Sequence, residues 1–269
     1  MTIIEQTTVG KTSPATNEDG LLAGPDFVAV IDGSTSKTPI RIRPDMTNGR
    51  CCMLIVSDYI ARMPAATTCC AFCDGVTQSI RHTYLSAHFD LHLLRDHPEQ
   101  RTTASCIVYS RQRQEIWMVG DCQCLVDGVL YGDPKPQEAR YARRRAEYIR
   151  NALRQGRTVA DFQQHDEGRD LILPDIIDSC RQQNVDYSVF DGFPVSLDHV
   201  QVIDCRAAHE IVLASDGYPF LHPTLAESEA ALAHLLRHDP LCIDLYPAAK
   251  GLMRGNISFD DRSYIRFTV

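Results

Sequence analysis

Residues 27–37 read Phe-Val-Ala-Val-Ile-Asp-Gly-Ser-Thr-Ser-Lys, and this stretch decides the fold prediction. Its first five residues are all apolar and include two Val and one Ile, which predicts a strand buried on both faces. The strand ends at Asp32-Gly33, so a carboxylate is held at the edge of a rigid element. Gly33 predicts a sharp turn whose carbonyl oxygen faces a ligand. A strand followed by an ordinary Asp-Gly turn is the alternative interpretation of this stretch alone.

The composition of the chain is that of an ordinary soluble protein. Its 269 residues are 44% hydrophobic and 23% charged, and no apolar run approaches the roughly 20 residues that cross a bilayer, so we expect no membrane partner. The first residues lack the basic and apolar regions of a secretory signal, which favours a cytoplasmic location. The net charge of −8 disfavours nucleic acid as a partner, because phosphate contacts need clustered positive charge.

The order of predicted elements favours antiparallel sheets with helices outside them. Strands are predicted at 2–9, 27–31, 102–110, 115–126, 129–131, 200–204, 210–217 (ending in Asp216-Gly217) and 262–269. Two amphipathic helices are predicted, one from Thr47 to Pro64 and one from Thr68 to about Arg95. Because strands and helices come in runs and do not alternate, the fold class is α+β.

The segment from Pro136 to Arg157 differs in character from the rest of the chain. It carries seven arginines beside a narrow apolar face, which predicts a helix with a basic outer side. Two interpretations stay open. The helix contacts nucleic acid or another acidic partner, or it is a solvated helix packed along one edge of the protein, which the acidic total charge favours.

Four acidic positions stand at the ends of predicted strands: Glu18, Asp32, Asp216 and either Asp260 or Asp261. No cysteine or histidine shares this pattern, and an all-oxygen donor set selects Mg²⁺ or Mn²⁺ over zinc. Carboxylates gathered without a cation would repel one another, so that one would be forced neutral. Two divalent cations bridged by a central carboxylate relieve this repulsion and hold a phosphate oxygen, as in two-metal phosphatases.

The motifs in this order resemble the metal-dependent protein phosphatases of the PPM type (protein phosphatase 2C-like). They are Asn17-Glu18-Asp19, the strand ending in Asp32-Gly33, Thr103-Ala104 with Val119-Gly120-Asp121, Ala214-Ser215-Asp216-Gly217, and Asp260-Asp261 before the last strand. The resemblance extends from about Thr2 to the C-terminus. It implies a single domain over 1–269 with a variable helical flap at about 134–185. It also implies a four-layer α-β-β-α sandwich, in which two antiparallel sheets are flanked by helix pairs.

The resemblance further implies a dinuclear Mn²⁺ or Mg²⁺ centre and a phosphoprotein substrate. Asp32 would bridge both cations. Asp216 and Asp260 would complete one cation site, and Glu18 with the carbonyl of Gly33 would complete the other. A bridging hydroxide would then attack the phosphomonoester, most simply that of phosphoserine or phosphothreonine.

Two departures from the family pattern bear on catalysis. Pro14 stands where the family commonly has an arginine that grips the substrate phosphate, so Lys11 or Lys37 would have to substitute. Ser34 stands where many members have a general-acid histidine. The sequence thus predicts a metal-dependent phosphatase with Asp32 and Ser34 as catalytic residues. The alternative is a PPM-fold regulatory or phospho-ligand-binding module with weak catalysis.

Overall fold

The computed structural model describes residues 1–269 and contains two five-stranded antiparallel sheets. The strands are β1 (Thr2–Val9), β2 (Asp19–Ala23), β3 (Phe27–Gly33), β4 (Ala104–Ser110), β5 (Glu115–Val119), β6 (Gln123–Val126), β7 (Val129–Gly132), β8 (Gln201–Asp204), β9 (Glu210–Ala214) and β10 (Arg262–Thr268). One sheet has the order β1-β10-β9-β6-β7 and the other has the order β2-β3-β4-β5-β8.

Helices lie outside the two sheets. They are α1 (Asn48–Arg62), α2 (Cys69–Ser86), α3 (Leu91–Asp96), α4 (Glu138–Arg154), α5 (Val159–Gln164), α6 (Glu167–Ser179) and α7 (Leu225–His238). α1 and α2 share a core with the β2–β8 sheet, while Leu225 at the start of α7 packs on the outer face of the other sheet. This arrangement confirms the predicted α+β sandwich. No helix combines the length and the hydropathy that a membrane span requires.

The strand β3 occupies the middle of the molecule. Phe27, Ala29 and Ile31 face α1 and α2, whereas Val28 and Val30 face the second sheet. All five residues are at most 3% exposed. The continuous apolar run therefore belongs to a strand that serves two cores at once, as its sequence predicts.

Two predicted elements are interrupted in the structure. The helix predicted over 68–95 ends at Ser86, His88 adopts a left-handed conformation (φ 61°), and Asp90 caps the separate helix α3. The apolar stripe continues across the break because Leu94 of α3 enters the same core as α2. The strand predicted over 115–126 also divides, since β5 and β6 belong to different sheets. The chain changes sheets at Gly120 (φ 86°), where a Cβ would stand only 2.2 Å from a serine hydroxyl of β4.

The arginine-rich helix α4 is anchored to the protein through Arg145. This side chain is fully buried, and its Nη2 lies 2.7 Å from Asp166 Oδ2 at the start of α6. Its Nη1 donates to the carbonyl oxygens of Leu241 (2.9 Å) and Ala248 (3.0 Å). Other arginines of 140–157 also pair within the chain, namely Arg144, Arg150 and Arg157. Much of the basic face is thus neutralised internally.

Replacement of Arg145 tests this anchor. We expect Arg145→Met to lower the free energy of unfolding by about 3–5 kcal/mol, because Asp166 is then left buried without its partner. Arg143→Met is the matched control, since Arg143 is exposed on the same helix, and it should change the value by less than about 0.5 kcal/mol. Urea denaturation of the two variants measures both effects, and equal losses would contradict the assignment.

Candidate functional site

The pairing of β2 with β3 brings the first group of acidic residues together. Asp19 stands opposite Asp32 in the ladder, and the amide of Gly33 donates to the carbonyl oxygen of Glu18 (3.1 Å). Glu18 and Asp19 are 4% and 3% exposed, whereas Asp32 is half-buried. Two adjacent strand ends therefore place three carboxylates in one small region.

The second group comes from the other sheet, where β9 ends beside the start of β10. The amide of Ser215 donates to the carbonyl of Ser263 (3.1 Å), which keeps Asp216 beside Asp260-Asp261. Asp261 links the groups, because its carboxylate accepts from the amides of Lys11 (2.7 Å) and Glu18 (3.1 Å). Asp261 is therefore engaged in positioning the loop that carries Glu18.

These acidic residues border a cavity of about 340 Å³. Its lining includes the predicted site residues Asp32, Gly33, Ser34, Lys37, Asp216 and Asp260. Glu18 and Lys11 lie next to it, since Lys11 Nζ is 3.1 Å from Asp260 Oδ1 and 3.8 Å from Glu18 Oε2. The structure thus brings all predicted site residues together. Residues of α4 and α6 also line the cavity.

Two glycines allow a close approach at the β3 end of the cavity. A Cβ on Gly49, in the first turn of α1, would lie 2.6 Å from Glu18 Oε1 and 2.7 Å from the Gly33 carbonyl oxygen. Both oxygens therefore converge on the space that a side chain at Gly49 would fill. Gly33 itself continues β3 and pairs with Ala104, so the predicted sharp turn at Gly33 is wrong. Its lack of a Cβ is required because the Gly49 carbonyl oxygen would lie 2.3 Å away.

The acidic residues repel one another strongly. Burial, together with the charges of Asp216 and Asp19, raises the pKa of Asp32 well above its ordinary value. Burial and the charges of Asp216 and Asp261 raise the pKa of Asp19 to about 7. Neither Asp32 nor Asp216 accepts a side-chain hydrogen bond from another protein group, and Glu18 Oε1 and Asp19 Oδ2 are buried without a partner. This part of the site carries more negative charge than the protein compensates.

Lysine ammonium groups compensate the negative charge of the other acidic residues at the site. Lys11 pairs with Oδ1 of Asp260, and Lys250 pairs with its Oδ2. Lys135 pairs with Asp121, whose other oxygen accepts from the hydroxyl of Ser105 (2.5 Å). Burial opposes the charge on Lys250 and, with the like charge of Lys11, lowers its pKa to about 8.

Two further cations of the cavity have no carboxylate partner. Lys37 Nζ donates to the hydroxyl of Ser34 (2.5 Å), and Arg169 Nη1 donates to the carbonyl oxygen of Ala249 (2.8 Å). Burial lowers the pKa of both groups. Buried cationic side chains that have no carboxylate partner are suited to bind an anion.

The two sides of the site differ in how well they fit a divalent cation. Glu18 Oε1 is buried without a partner beside the Gly33 carbonyl oxygen, and Asp32 borders the cavity without a side-chain partner, so this side offers oxygen donors of the kind that suit a hard cation such as Mn²⁺ or Mg²⁺. The Asp260 side does not fit a second one, because lysines engage both oxygens of Asp260. In this structure no group of three or more Asp, Glu, His or Cys side chains is arranged so that it could hold a metal ion. The predicted second cation stays a prediction.

Several solved structures are similar to this chain over nearly its whole length. The serine/threonine phosphatase PstP/Ppp of Mycobacterium tuberculosis has a TM-score of 0.45 and 14% identity over 99% of this chain and 98% of that one. Stp1 from Staphylococcus aureus has a TM-score of 0.45 and 11% identity over 100% and 95%. The PPM Ser-Thr phosphatase MsPP from Mycobacterium smegmatis has a TM-score of 0.42 and 16% identity over 99% and 98%.

The structures to which this chain is similar are those of serine/threonine phosphatases, and one of them is of the PPM type. No family model and no curated protein matches the chain. At identities of 11% to 16% and TM-scores of 0.42 to 0.45, the structural similarity does not carry the functional proposal. One of the similar structures, the catalytic domain of PstP, is in complex with two manganese ions.

Four residues of the site were missed by the sequence analysis: Asp19, Lys135, Arg169 and Lys250. Asp19 directly follows Glu18 and could have been found from the β2–β3 pairing. Lys135, Arg169 and Lys250 reach the cavity from segments far apart in the chain. The only sequence signal for the two lysines is the scarcity of lysine, which occurs four times in 269 residues, and Arg169 has no such signal.

The raised pKa of Asp19 predicts a dependence of stability on pH. Folding raises this pKa from 3.8 to about 7, so between these values the folded chain retains a proton that the unfolded chain has released. With a chelator present, the free energy of unfolding should therefore fall as pH rises from about 5 to about 8. In Asp19→Asn, the decrease in the free energy of unfolding over this pH range should be smaller by on the order of 3 kcal/mol.

Urea denaturation across this pH range makes the comparison. Asp26→Asn is the control, because Asp26 is exposed in the turn between β2 and β3, and it should keep the wild-type slope. The same slope in Asp19→Asn and wild type would contradict the raised pKa. Mn²⁺ should raise the stability most at the alkaline end, where Asp19 is ionised.

Proposed function

We propose that this protein is a metal-dependent phosphomonoester hydrolase whose substrate is a phosphoserine or phosphothreonine protein. The observation that supports this best is that unpaired carboxylates and unpaired cations border one cavity. Asp32 and Asp216 are the carboxylates, and Lys37 and Arg169 are the cations. The carboxylates suit a hard divalent ion, and the cations suit the oxygens of a phosphate group. The serine/threonine preference follows the PPM-type resemblance.

The carboxylates organise the reacting end of the cavity. Glu18, Asp32 and the Gly33 carbonyl would hold a divalent cation that activates a water and neutralises phosphate charge. Asp216 faces the same space without a partner. Asp32 has the central role in this proposal, because it is the acidic group that lies between the β2 side and the Asp216 side of the site.

The cations orient the phosphate. Arg169 offers the planar fork that the missing arginine at Pro14 would have supplied, and it reaches the cavity from α6. Lys37 offers a point charge on the side of Ser34. Of the two lysines that the sequence suggests for phosphate binding, Lys37 is preferred, since Lys11 is engaged with Asp260 and Asp261.

Ser34 passes a proton to the leaving alcohol in this proposal. Its hydroxyl accepts a hydrogen bond from Lys37 Nζ (2.5 Å), and burial lowers the pKa of that ammonium. A lysine of lowered pKa releases its proton more readily near neutral pH than an exposed lysine does. Ser34 and Lys37 together would thus perform the function of the general-acid histidine that many PPM-type phosphatases have here.

Removal of the central carboxylate tests the hydrolase. We expect Asp32→Ala to abolish Mn²⁺ binding and to lower hydrolysis of p-nitrophenyl phosphate at least about a hundredfold, because the cation loses its main ligand. Calorimetric Mn²⁺ titration and a colorimetric assay measure the two effects. Asp26→Ala, in an exposed turn, should leave both unchanged. Unchanged turnover in Asp32→Ala would falsify the proposal.

Removal of the free cations tests how the phosphate is bound. We expect Lys37→Met and Arg169→Met each to raise KM about tenfold or more, because each loses a charged hydrogen bond to phosphate. Lys37→Met should lower kcat as well, because Ser34 then loses its proton source. Ser34→Ala should instead lower kcat with little change in KM. Arg143→Met removes the same charge from an exposed position and should leave KM as it is. An unaltered KM in both cavity variants would remove these residues from the phosphate site.

A phospho-ligand-binding module is the second candidate function. It is favoured by Asp260, whose two oxygens are ion-paired with lysines, so that the site has fewer free carboxylates than a dinuclear centre uses. A phosphopeptide that binds without cleavage, and whose binding Lys37→Met weakens, would support this function. Metal-dependent release of phosphate from the same peptide would reject it.

A further inference from the structure

The distribution of lysine in this chain is uneven. Among 27 lysine and arginine residues only four are lysines, and all four lie at the carboxylate site. Lys37, Lys135 and Lys250 line the cavity, and Lys11 contacts Asp260 at its edge. Arginine, the other basic residue, accounts for all remaining positions. A lysine ammonium is a compact point charge, and it therefore resembles a metal ion more than a planar guanidinium does.

Asp260 is already neutralised by two of these lysines. Lys11 Nζ lies 3.1 Å from its Oδ1, and Lys250 Nζ contacts its Oδ2. Lys11 also lies 3.3 Å from Asp261 Oδ2 and 3.8 Å from Glu18 Oε2. Asp260 is only 6% exposed, so water contributes little to this neutralisation.

The backbone on either side of Lys250 is fixed. Arg145 donates to the carbonyl oxygen of Ala248, two residues before it. Gly251, directly after it, has no room for a side chain, since a Cβ would lie 2.7 Å from the carbonyl oxygen of Leu241. The carboxylate of Asp239 accepts from the backbone amides of 243–245. Lys250 is therefore held on a rigid loop and is not a mobile surface lysine.

The opposite side of the site is compensated less. Glu18 Oε2 accepts from the hydroxyl of Thr35 (2.8 Å) and lies 3.8 Å from Lys11 Nζ, but no lysine or arginine pairs with Asp19, Asp32 or Asp216. Glu18 Oε1 and Asp19 Oδ2 are buried without a hydrogen-bond partner, on residues that are 4% and 3% exposed. Asp32 and Asp216 border the cavity without a side-chain partner. A buried charge without a partner is costly, so this side requires a cation that the chain itself does not provide.

The geometry points to a centre with one divalent cation, in which Lys11 and Lys250 are tethered cations that take the place of the second. The ion is held on the side of Glu18 and Asp32, and Asp260 is a lysine partner and not a metal ligand. For the catalytic role of the ion, this inference rests on the proposed function. It differs from the dinuclear centre that the resemblance implies in the number of ions, which is one. Because the ammonium groups are covalently attached, the Asp260 side stays neutralised at any metal concentration.

The number of bound ions tests this directly. Mn²⁺ is titrated calorimetrically into the chelator-treated, full-length protein. We expect one ion in the wild type and two in Lys11→Met/Lys250→Met. Lys37→Met is the matched control, because it removes the same charge from the cavity without freeing a carboxylate, and it should bind one ion. Two ions in the wild type, or no added ion in the double variant, would overturn the inference.

A second pair of variants does not depend on the folding of the double variant. Asp260→Asn should still bind one Mn²⁺ ion, whereas Asp32→Asn should bind none. Loss of the ion in Asp260→Asn would overturn the inference. Hydrolysis of p-nitrophenyl phosphate is measured on the same samples. One bound ion without turnover rejects the proposed function and supports the assignment of the lysines. Turnover with two bound ions supports the proposed function and rejects the assignment of the lysines.

Discussion

Repulsion among buried carboxylates is the constraint on which the rest of this structure depends. The pairing of β2 with β3 places Asp19 opposite Asp32, and the ends of β9 and β10 add Asp216 and Asp260. Each ionised carboxylate loses hydration on burial and is repelled by its neighbours. The chain can lower this energy by retaining a proton, by bringing an ammonium group close, or by binding a cation. The raised pKa of Asp19 and the ion pairs of Asp260 show the first two solutions in adjacent parts of one site.

The two sheets supply the rigidity that this constraint demands. The carboxylates would separate if the strand ends were free, but Asp261 joins the loop of Lys11 and Glu18 to the start of β10. Gly33 and Gly49 bring α1 against the end of β3 more closely than any side chain would permit. The apolar strand β3 packs into both cores and so fixes the position of the strand end that makes these contacts. Burial of apolar surface thus stabilises an arrangement of charges that would not assemble by itself.

The sequence predicts the parts of the structure that depend on local pattern. The apolar run before Asp32 and the similar run before Asp216 predict buried strands that end in acidic residues. Both strands form, and β3 includes Asp32, but β9 ends at Ala214, two residues before Asp216. The helix break at His88 and the change of sheet at Gly120 were not predicted, because the apolar pattern continues through both. Lys250 was missed for a related reason. Its position depends on contacts with Arg145, more than a hundred residues earlier, and no local pattern records such a contact.

The arginine-rich helix connects these observations. In the sequence its charge suggests an external acidic partner, yet Arg145 is buried and its guanidinium binds Asp166 and the carbonyl oxygens of the loop before Lys250. Arginine suits this task because its planar group donates in several fixed directions at once. Lysine suits the cavity because its single charge reaches a carboxylate oxygen without crowding it. The division between the two basic residues therefore follows the physical task at each position, and α4 acts on the carboxylate site through the loop that it holds in place.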